Sequence, residues 1–330
     1  MRKRKLIKKI IYIIFAGVMV YIGIDYSVPR EKMTFGVTFS KPFAEFMGLD
    51  WKEAYLAAFK DLQIKKIRLS SYWNEIEPSQ EVFKFDDLDW QILEAEKNNA
   101  EIIMVLGQKQ PRWPECHIPD WARSLSVSDR QEKVMKTIAR VVERYKGQRN
   151  IIAWQIENEF FFHFGECPEY DIDFFDKEIA YVRSLDNSRP IIITDSGELS
   201  SWYRAAKRAD ILGTTMYRIV YNKDYGYFTY PIPASFYTVK AELIKRITGV
   251  KKVIVVELQG EAWGPQMPNE MTLEEQSKSM NSEKLKNIAE YARSAGFSES
   301  YFWGVEYWYW LKKVKGEPGM WEEAKKIFIE

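Results

Sequence analysis

The sequence predicts a single α/β domain folded as a (β/α)8 TIM barrel, preceded by an N-terminal hydrophobic anchor helix. Three observations carry this reading. Strand-like apolar runs alternate with helix-like segments from Met33 to the C-terminus, eight of each. The runs are apolar at consecutive positions, as in Val253-Ile254-Val255-Val256, so both strand faces are covered, as in a parallel sheet under helices. Eight βα units in about 300 residues fit a closed barrel better than an open doubly wound sheet. No low-complexity tract, longer repeat or second domain interrupts the rhythm.

The chain opens on Met1-Arg2-Lys3-Arg4-Lys5, continues through Leu6-Ile7-Lys8-Lys9, and then runs uncharged from Ile10 to Ile24. A basic flank before an apolar run reads as a targeting segment. The uncharged part is short for a span of about 20 residues, but Lys8 and Lys9 can snorkel to the interface and lengthen it. Ile22-Gly23-Ile24-Asp25 is a poor cleavage site. Residues 1–28 are therefore read as an uncleaved signal anchor and linker, with the basic flank in the cytoplasm and the folded domain, residues 29–330, outside it. Secretion after cleavage is the alternative.

The elements follow in order. A strand is expected over 34–39, then a helix over 51–62 with Asp50 as its N-cap. Next come a strand over 65–70, a helix starting near Asp86 and Asp87, and a strand over 101–106. A loop rich in Pro, Trp and charge spans 108–126. The helix over 128–145 is amphipathic, with Val134, Ile138, Val141 and Val142 on one face. The fourth strand opens on Ile151-Ile152-Ala153 and runs into Trp154-Gln155-Ile156-Glu157-Asn158-Glu159. A helix over 173–184, a strand over 190–194 and a helix over 202–208 follow. The sixth strand, 211–216, ends on Tyr217 and opens a loop carrying Tyr221, Tyr225, Tyr227, Phe228 and Tyr230. The remaining units are a helix over 234–248, a strand over 252–257, a helix over 273–295 starting near Thr272, a strand over 299–303 and a helix over 320–328.

Composition narrows the chemistry. Lys and Arg number 48 against 47 Asp and Glu, so no overall basic surface points to nucleic acid. Only His117 and His163 are present, which rules out an HExxH helix or a histidine-rich metal site. No GxSxG elbow presents a serine, and no Gly-rich phosphate loop presents a nucleotide. No metal or organic cofactor is implied. Carboxylates remain for acid/base work. Twelve Trp and 19 Tyr exceed what core packing alone asks for, and exposed aromatic faces stack on sugars or bases.

Two strands end on glutamates, Glu159 and Glu257. A parallel barrel presents its chemistry at C-terminal strand tips. The fourth and seventh strands are not neighbours in a closed barrel, so their tips face each other across its mouth. Two carboxylates flanking a sugar are the requirement for glycoside hydrolysis. Glu261 lies past Gly260 in the loop and is the rival of Glu257. Glu157 alternates onto the side of Glu159 and reads as its support rather than as catalytic. The plain alternatives are that these carboxylates are surface loop residues and that Arg68 is an ordinary salt-bridge partner.

The ordered set of motifs resembles clan A glycoside hydrolases, the retaining (β/α)8 enzymes with Asn-Glu at the tip of the fourth strand. The stretch Trp154-Gln155-Ile156-Glu157-Asn158-Glu159 is worded most like the β-galactosidases of family forty-two. Ile67-Arg68-Leu69-Ser70 with Trp73-Asn74-Glu75-Ile76-Glu77-Pro78, Tyr217, Glu257 and Tyr301-Phe302-Trp303-Gly304 match the clan in the same order. The resemblance implies Glu159 as acid/base and Glu257 as nucleophile. It implies Asn158 on the sugar hydroxyl beside the reacting carbon, Arg68 holding Glu257 ionised, Tyr217 bonded to Glu257 and Trp303 stacked under the sugar, with Trp308 and Trp310 as other candidates. The substrate would be a β-linked oligo- or polysaccharide. The competing class is a non-catalytic carbohydrate-binding barrel, and a transglycosylase would use the same residues. Cys116 and Cys167 lie in the loops after the third and fourth strands, so outside the cytoplasm a disulfide between those loops is expected. His117 and His163 share these loops and are not read as catalytic.

Overall fold

A computed structural model describes residues 17, 19, 21, 23, 31–168 and 170–329. The anchor expected over residues 1–28 lies almost wholly outside the described residues. Among the described residues, no helix is long and apolar enough to cross a membrane.

The barrel strands are β1 (Thr34–Phe39), β2 (Lys66–Ser70), β3 (Glu101–Leu106), β4 (Ile151–Ile156), β5 (Ile191–Asp195) and β6 (Ile211–Met216). After the hairpin β7 (Ile219–Asn222) and β8 (Gly226–Thr229) come β9 (Lys252–Gln259) and β10 (Glu299–Trp303). Eight of these close in the order β1-β10-β9-β6-β5-β4-β3-β2, every pair parallel. The antiparallel hairpin β7–β8 falls in the aromatic loop.

The core divides as a closed barrel demands. Ile103, Ala153, Ile192, Ile254, Val256 and Tyr301 pack together inside the barrel. A much larger apolar set, including Val37, Ile67, Trp154, Val255 and Phe302, packs between strands and helices. Alternating residues therefore serve two different cores, which is why the strands read as continuous apolar runs. Asp50 caps the helix Trp51–Lys60, its Oδ1 accepting from the Lys52 and Glu53 amides at 2.9 and 3.2 Å.

Three departures from the sequence expectation have local causes. The helix expected over 273–295 is two, Leu273–Ser279 and Ser282–Ala295. The Asn281 side chain accepts from the Lys284 amide at 2.9 Å and starts the second. Short helices Lys41–Phe46, Trp73–Ile76 and Val305–Trp310 occupy stretches expected to be loop. The last is buried at every position, so it has no polar face to give a helical period. The strand expected to end at Glu257 continues to Gln259.

That extension contains the detail that matters most for the site. On β6, Thr214 pairs with Val255 but Thr215 pairs with Glu257. On β10, Ser300 pairs with Val255 but Phe302 pairs with Leu258. One extra residue is accommodated at Val256–Glu257. Ile254 and Val256 point into the barrel, whereas Val255 and Leu258 face the helices. Strict alternation would send Glu257 outward with Val255. The bulge breaks the alternation and re-aims its side chain toward the barrel mouth.

Candidate active site

The C-terminal mouth of the barrel holds a cavity of about 730 Å³, bordered by residues from the loops after most of the strands. Glu159 and Glu257 both border it, and both are buried.

Glu257 is held by two donors. Arg68 Nη1 donates to its Oε1 at 3.0 Å, and the Tyr217 hydroxyl donates to Oε2 at 3.0 Å. Burial and the Glu257 charge push the Tyr217 phenol well above its ordinary range, so it stays a neutral donor. Arg68 is fully buried inside the barrel. Its remaining donors reach Gln155 Oε1 at 2.8 Å, the Val256 carbonyl at 3.3 Å and Asn158 Oδ1 at 2.7 Å. A guanidinium with fixed donor directions suits this position, because one residue satisfies groups on β4 and β9 together.

Glu159 sits on an unusual backbone. Both Glu157 and Glu159 have positive φ, 52° and 43°. The chain leaving β4 therefore does not alternate, and the expectation that Glu157 and Glu159 share a side fails. Glu159 faces the cavity. Glu157 turns under it, where its carboxylate accepts from the Gln108 and Lys109 amides at 2.9 and 2.5 Å and lies against Glu178. Burial raises both partners of this carboxyl pair, and the Glu157 charge raises Glu178 further. Gly107 makes room for the arrangement. Its φ is +107°, and a Cβ there would clash with Glu157 Oε1 and lie 2.6 Å from Glu157 Cδ.

The turn itself is pinned from two sides. Thr194 Oγ1 accepts the Glu159 amide at 2.7 Å. Buried Lys109 donates to the carbonyls of Glu159 and Phe162 at 3.1 and 2.7 Å. The Glu159 carboxyl is pushed well above the usual carboxylate range, first by burial and then by the charges of Glu257 and Glu115.

Other expected residues fall out differently. Trp303 borders the cavity, with the Arg112 guanidinium 4.0 Å from its ring centre and its Nε1 donating to Glu261 at 2.8 Å. Trp308 is corrected: it is wholly buried against Phe302, and its Nε1 donates to the Gly260 carbonyl at 2.5 Å, so it braces the site from behind and meets no substrate. Asn158 is buried at the site, its side chain engaged by Arg68 and Glu115. Glu261 borders the cavity but is gripped by Arg112 Nη1 at 2.6 and 2.7 Å, whereas the Glu257 charge acts on the Glu159 carboxyl. Cys116 and Cys167 are joined, with Cα atoms 5.2 Å apart. His117 borders the cavity, and burial lowers its imidazole to about 4, so it is neutral. His163 packs on Tyr170. From the aromatic loop, Tyr221, Phe228 and Tyr230 line one wall.

Four site residues were not anticipated. Arg112 lies between Phe43 and Trp303 and bonds both Glu261 and Glu306. Lys109, Glu115 and Glu198 complete the set. Glu198 accepts from the Tyr217 amide at 2.6 Å and the Tyr237 hydroxyl at 2.7 Å. All four lie in loops after β3 or β5, where no periodicity distinguishes a site residue from a solvated one.

Comparison with known proteins finds the same fold elsewhere. Among solved structures, a β-galactosidase from the Antarctic haloarchaeon Halorubrum lacusprofundi is similar with a TM-score of 0.61 at 15% identity, over 90% of this chain and 58% of that one. A β-galactosidase from Rahnella sp. R3 is similar with a TM-score of 0.58 at 12% identity, over 93% of this chain and 56% of that one. An endo-β-1,4-xylanase from Gloeophyllum trabeum is similar with a TM-score of 0.57 at 17% identity, over 92% and 97%. The chain thus spans little more than half the length of these two β-galactosidases, and at such identities the likeness is one of fold. The family model described as β-galactosidase matches residues 49–254, more than half of the chain, from the first barrel helix into the start of β9 and ending before Glu257. With that match, the chain belongs to the family described as β-galactosidase, glycoside hydrolase family 42.

Proposed function

We propose that the chain is a retaining hydrolase of β-linked glycans that works by double displacement. The observation that carries this reading is the contrast between its two facing carboxyls. Glu257 is held by a buried Arg68 and a neutral Tyr217, whereas burial and neighbouring negative charge push the Glu159 carboxyl well above the usual carboxylate range. One group is prepared to attack and the other to give a proton.

In the first step a Glu257 oxygen bonds to the anomeric carbon. The glycosidic bond breaks, and the Glu159 proton goes to the leaving oxygen. In the second, Glu159, now a carboxylate, takes a proton from water. The water oxygen bonds to the same carbon and Glu257 is released. Arg68 and Tyr217 orient Glu257 throughout. Trp303 and the aromatic wall of Tyr221, Phe228 and Tyr230 supply apolar faces for sugar rings.

The test is turnover of aryl β-glycosides by wild type, Glu159→Ala and Glu257→Ala. Glu257→Ala is expected to lose turnover, and azide to restore it with inverted product. Undiminished turnover in Glu257→Ala would sink the nucleophile assignment.

The N-terminal basic-apolar segment is proposed as a membrane anchor that holds the barrel outside the cytoplasm. The Cys116–Cys167 disulfide supports an oxidising compartment. Fractionation of the full chain beside one lacking residues 1–28 tests this, and full-length protein recovered from the cytoplasm rejects it.

A further inference from the structure

Tyr217 donates to one oxygen of Glu257, yet it lies one residue beyond the end of β6 at Met216. There the backbone has left the ladder that sets the register of the barrel, and its amide needs a partner from elsewhere. Glu198, in the loop after β5, supplies one. Its Oε1 accepts from the Tyr217 amide at 2.6 Å and from the Tyr237 hydroxyl at 2.7 Å, and its Oε2 accepts from Thr215 Oγ1 at 3.1 Å. Glu198 borders the cavity together with Glu159, Tyr217 and Glu257.

We propose that Glu198 is a positioning residue for the nucleophile: it fixes the Tyr217 backbone where the Tyr217 hydroxyl reaches Glu257. The proposal rests on the glycosidase mechanism above and concerns the same site.

The loop that carries Glu198 is itself fixed. Gly197 lies so close to β6 that a Cβ there would come 2.0 Å from the Thr215 carbonyl oxygen, so any side chain would push the loop off the strand. The Gly197 amide donates to Thr215 Oγ1 at 2.9 Å. Lys240, on the helix Ala234–Thr248, donates to the Gly197 and Ser200 carbonyls at 2.9 and 2.7 Å. Burial, and next the Glu198 charge, push the Tyr237 phenol far above its ordinary range, so it remains a donor to the Glu198 carboxylate.

Tyr217 is held on its other sides by different groups. Gln259, at the end of β9, accepts from the Arg218 and Ile219 amides at 2.8 and 2.9 Å. The Trp263 ring meets the Tyr217 ring edge-on, with centres 5.3 Å apart. The amide of Tyr217 itself is the point that Glu198 holds. A shift there swings the phenol, and the hydroxyl at its far end moves away from Glu257.

The experiment uses the para-nitrophenyl β-D-galactoside, glucoside, xyloside and mannoside, with kinetics followed on the one that wild type turns over fastest. The full chain with its disulfide intact is compared with Glu198→Gln, Glu198→Ala, Tyr217→Phe and the double variant of Glu198→Ala with Tyr217→Phe. Misplacing a group at the reacting centre by about 1 Å can cost roughly 100-fold, so Glu198→Ala should lower kcat roughly 10- to 100-fold. In the Tyr217→Phe background the same change should cost less than about twofold, because the hydroxyl it positions is gone. Glu198→Gln should keep most of the wild-type rate, since the Tyr217 and Tyr237 donors both meet Oε1 and a glutamine oxygen accepts them as well. Should Glu198→Ala not fold, Glu198→Met repeats the deletion with the volume kept. Equal fractional losses in both backgrounds, a wild-type rate in Glu198→Ala, or a Glu198→Gln variant as slow as Glu198→Ala overturns the proposal and leaves the glycosidase reading standing. A wild type that turns over none of the four glycosides overturns both.

Discussion

Replacing Arg68 with methionine tests the buried centre of the site. The guanidinium is fully buried and donates to Glu257, Gln155, Asn158 and the Val256 carbonyl. Methionine fills much of the same volume but donates nothing, so the Glu257 charge is left with Tyr217 as its remaining donor. Breaking a buried ion pair by removing one partner costs about 3–5 kcal/mol, most of it the stranded charge. Native stability is only about 5–15 kcal/mol. In a chain of this size each kcal/mol lowers Tm by about 2 °C, so Arg68→Met should melt about 6–10 °C below wild type. Urea denaturation followed by circular dichroism, on protein with its disulfide intact, gives the free energy directly. The double variant decides the cause. Glu257→Gln removes the stranded charge, so in the Arg68→Met background it should recover about 2 kcal/mol, within the coupling range of contacting residues. On its own, Glu257→Gln should destabilise, because it leaves Arg68 unpaired. Costs that add to within about 0.5 kcal/mol would refute the reasoning and mean that the pair is not coupled.

Gly107→Ala should lose about 1–2 kcal/mol for its left-handed backbone alone. It should lose more as the new Cβ displaces Glu157 from the Gln108 and Lys109 amides, and kcat should fall with it as the Glu159 turn shifts. A wild-type melting curve and kcat for this variant would show that the turn does not depend on Glu157. The Glu157–Glu178 pair predicts a pH dependence. Both carboxyls are raised in the folded state, so the stability they confer is full below the ordinary carboxylate range and is lost as pH rises through their folded values. Tm should decline from mildly acidic to alkaline pH, and Glu178→Gln, a neutral donor, should flatten the decline; an unchanged slope rejects the assignment. Removing the disulfide with Cys116→Ser and Cys167→Ser opens a closure of 51 residues, which the chain-entropy relation puts at about 4 kcal/mol. Loss under about 1 kcal/mol, read by urea denaturation, would show that the loops hold without it. At the cavity rim, Trp113 is 58% exposed and pairs with Phe164 at 6.1 Å. Trp113→Ala should raise KM several-fold for oligosaccharides and leave aryl glycosides unaffected; equal effects on both would remove Trp113 as a sugar platform.

Much of the barrel is legible in the chain because its signal is local. Most strands serve two cores and so read as apolar runs, and helices with one apolar face follow them. The polar tips Asn158-Glu159 and Glu257 stand out against those runs. The buried helix Val305–Trp310 escapes the same reasoning, because a helix apolar all round has no period. For the same reason Trp303 and Trp308 look alike in sequence, although one borders the cavity and the other braces it from behind.

By itself, then, the sequence determined the closed α/β architecture and placed Glu159 and Glu257 at strand tips, while the resemblance pointed to the arginine and tyrosine that the structure hydrogen-bonds to Glu257. The tertiary structure alone decided where side chains point at those tips. A bulge turns Glu257 inward against strict alternation. Positive φ at Glu157 and Glu159 sends two neighbouring carboxyls to opposite sides of one loop. Packing against Gly165 and the Cys116–Cys167 bridge brings Glu115 to the cavity, where Asn158 donates to it. Periodicity assumes a regular backbone, and it fails where the backbone departs from one to build a site.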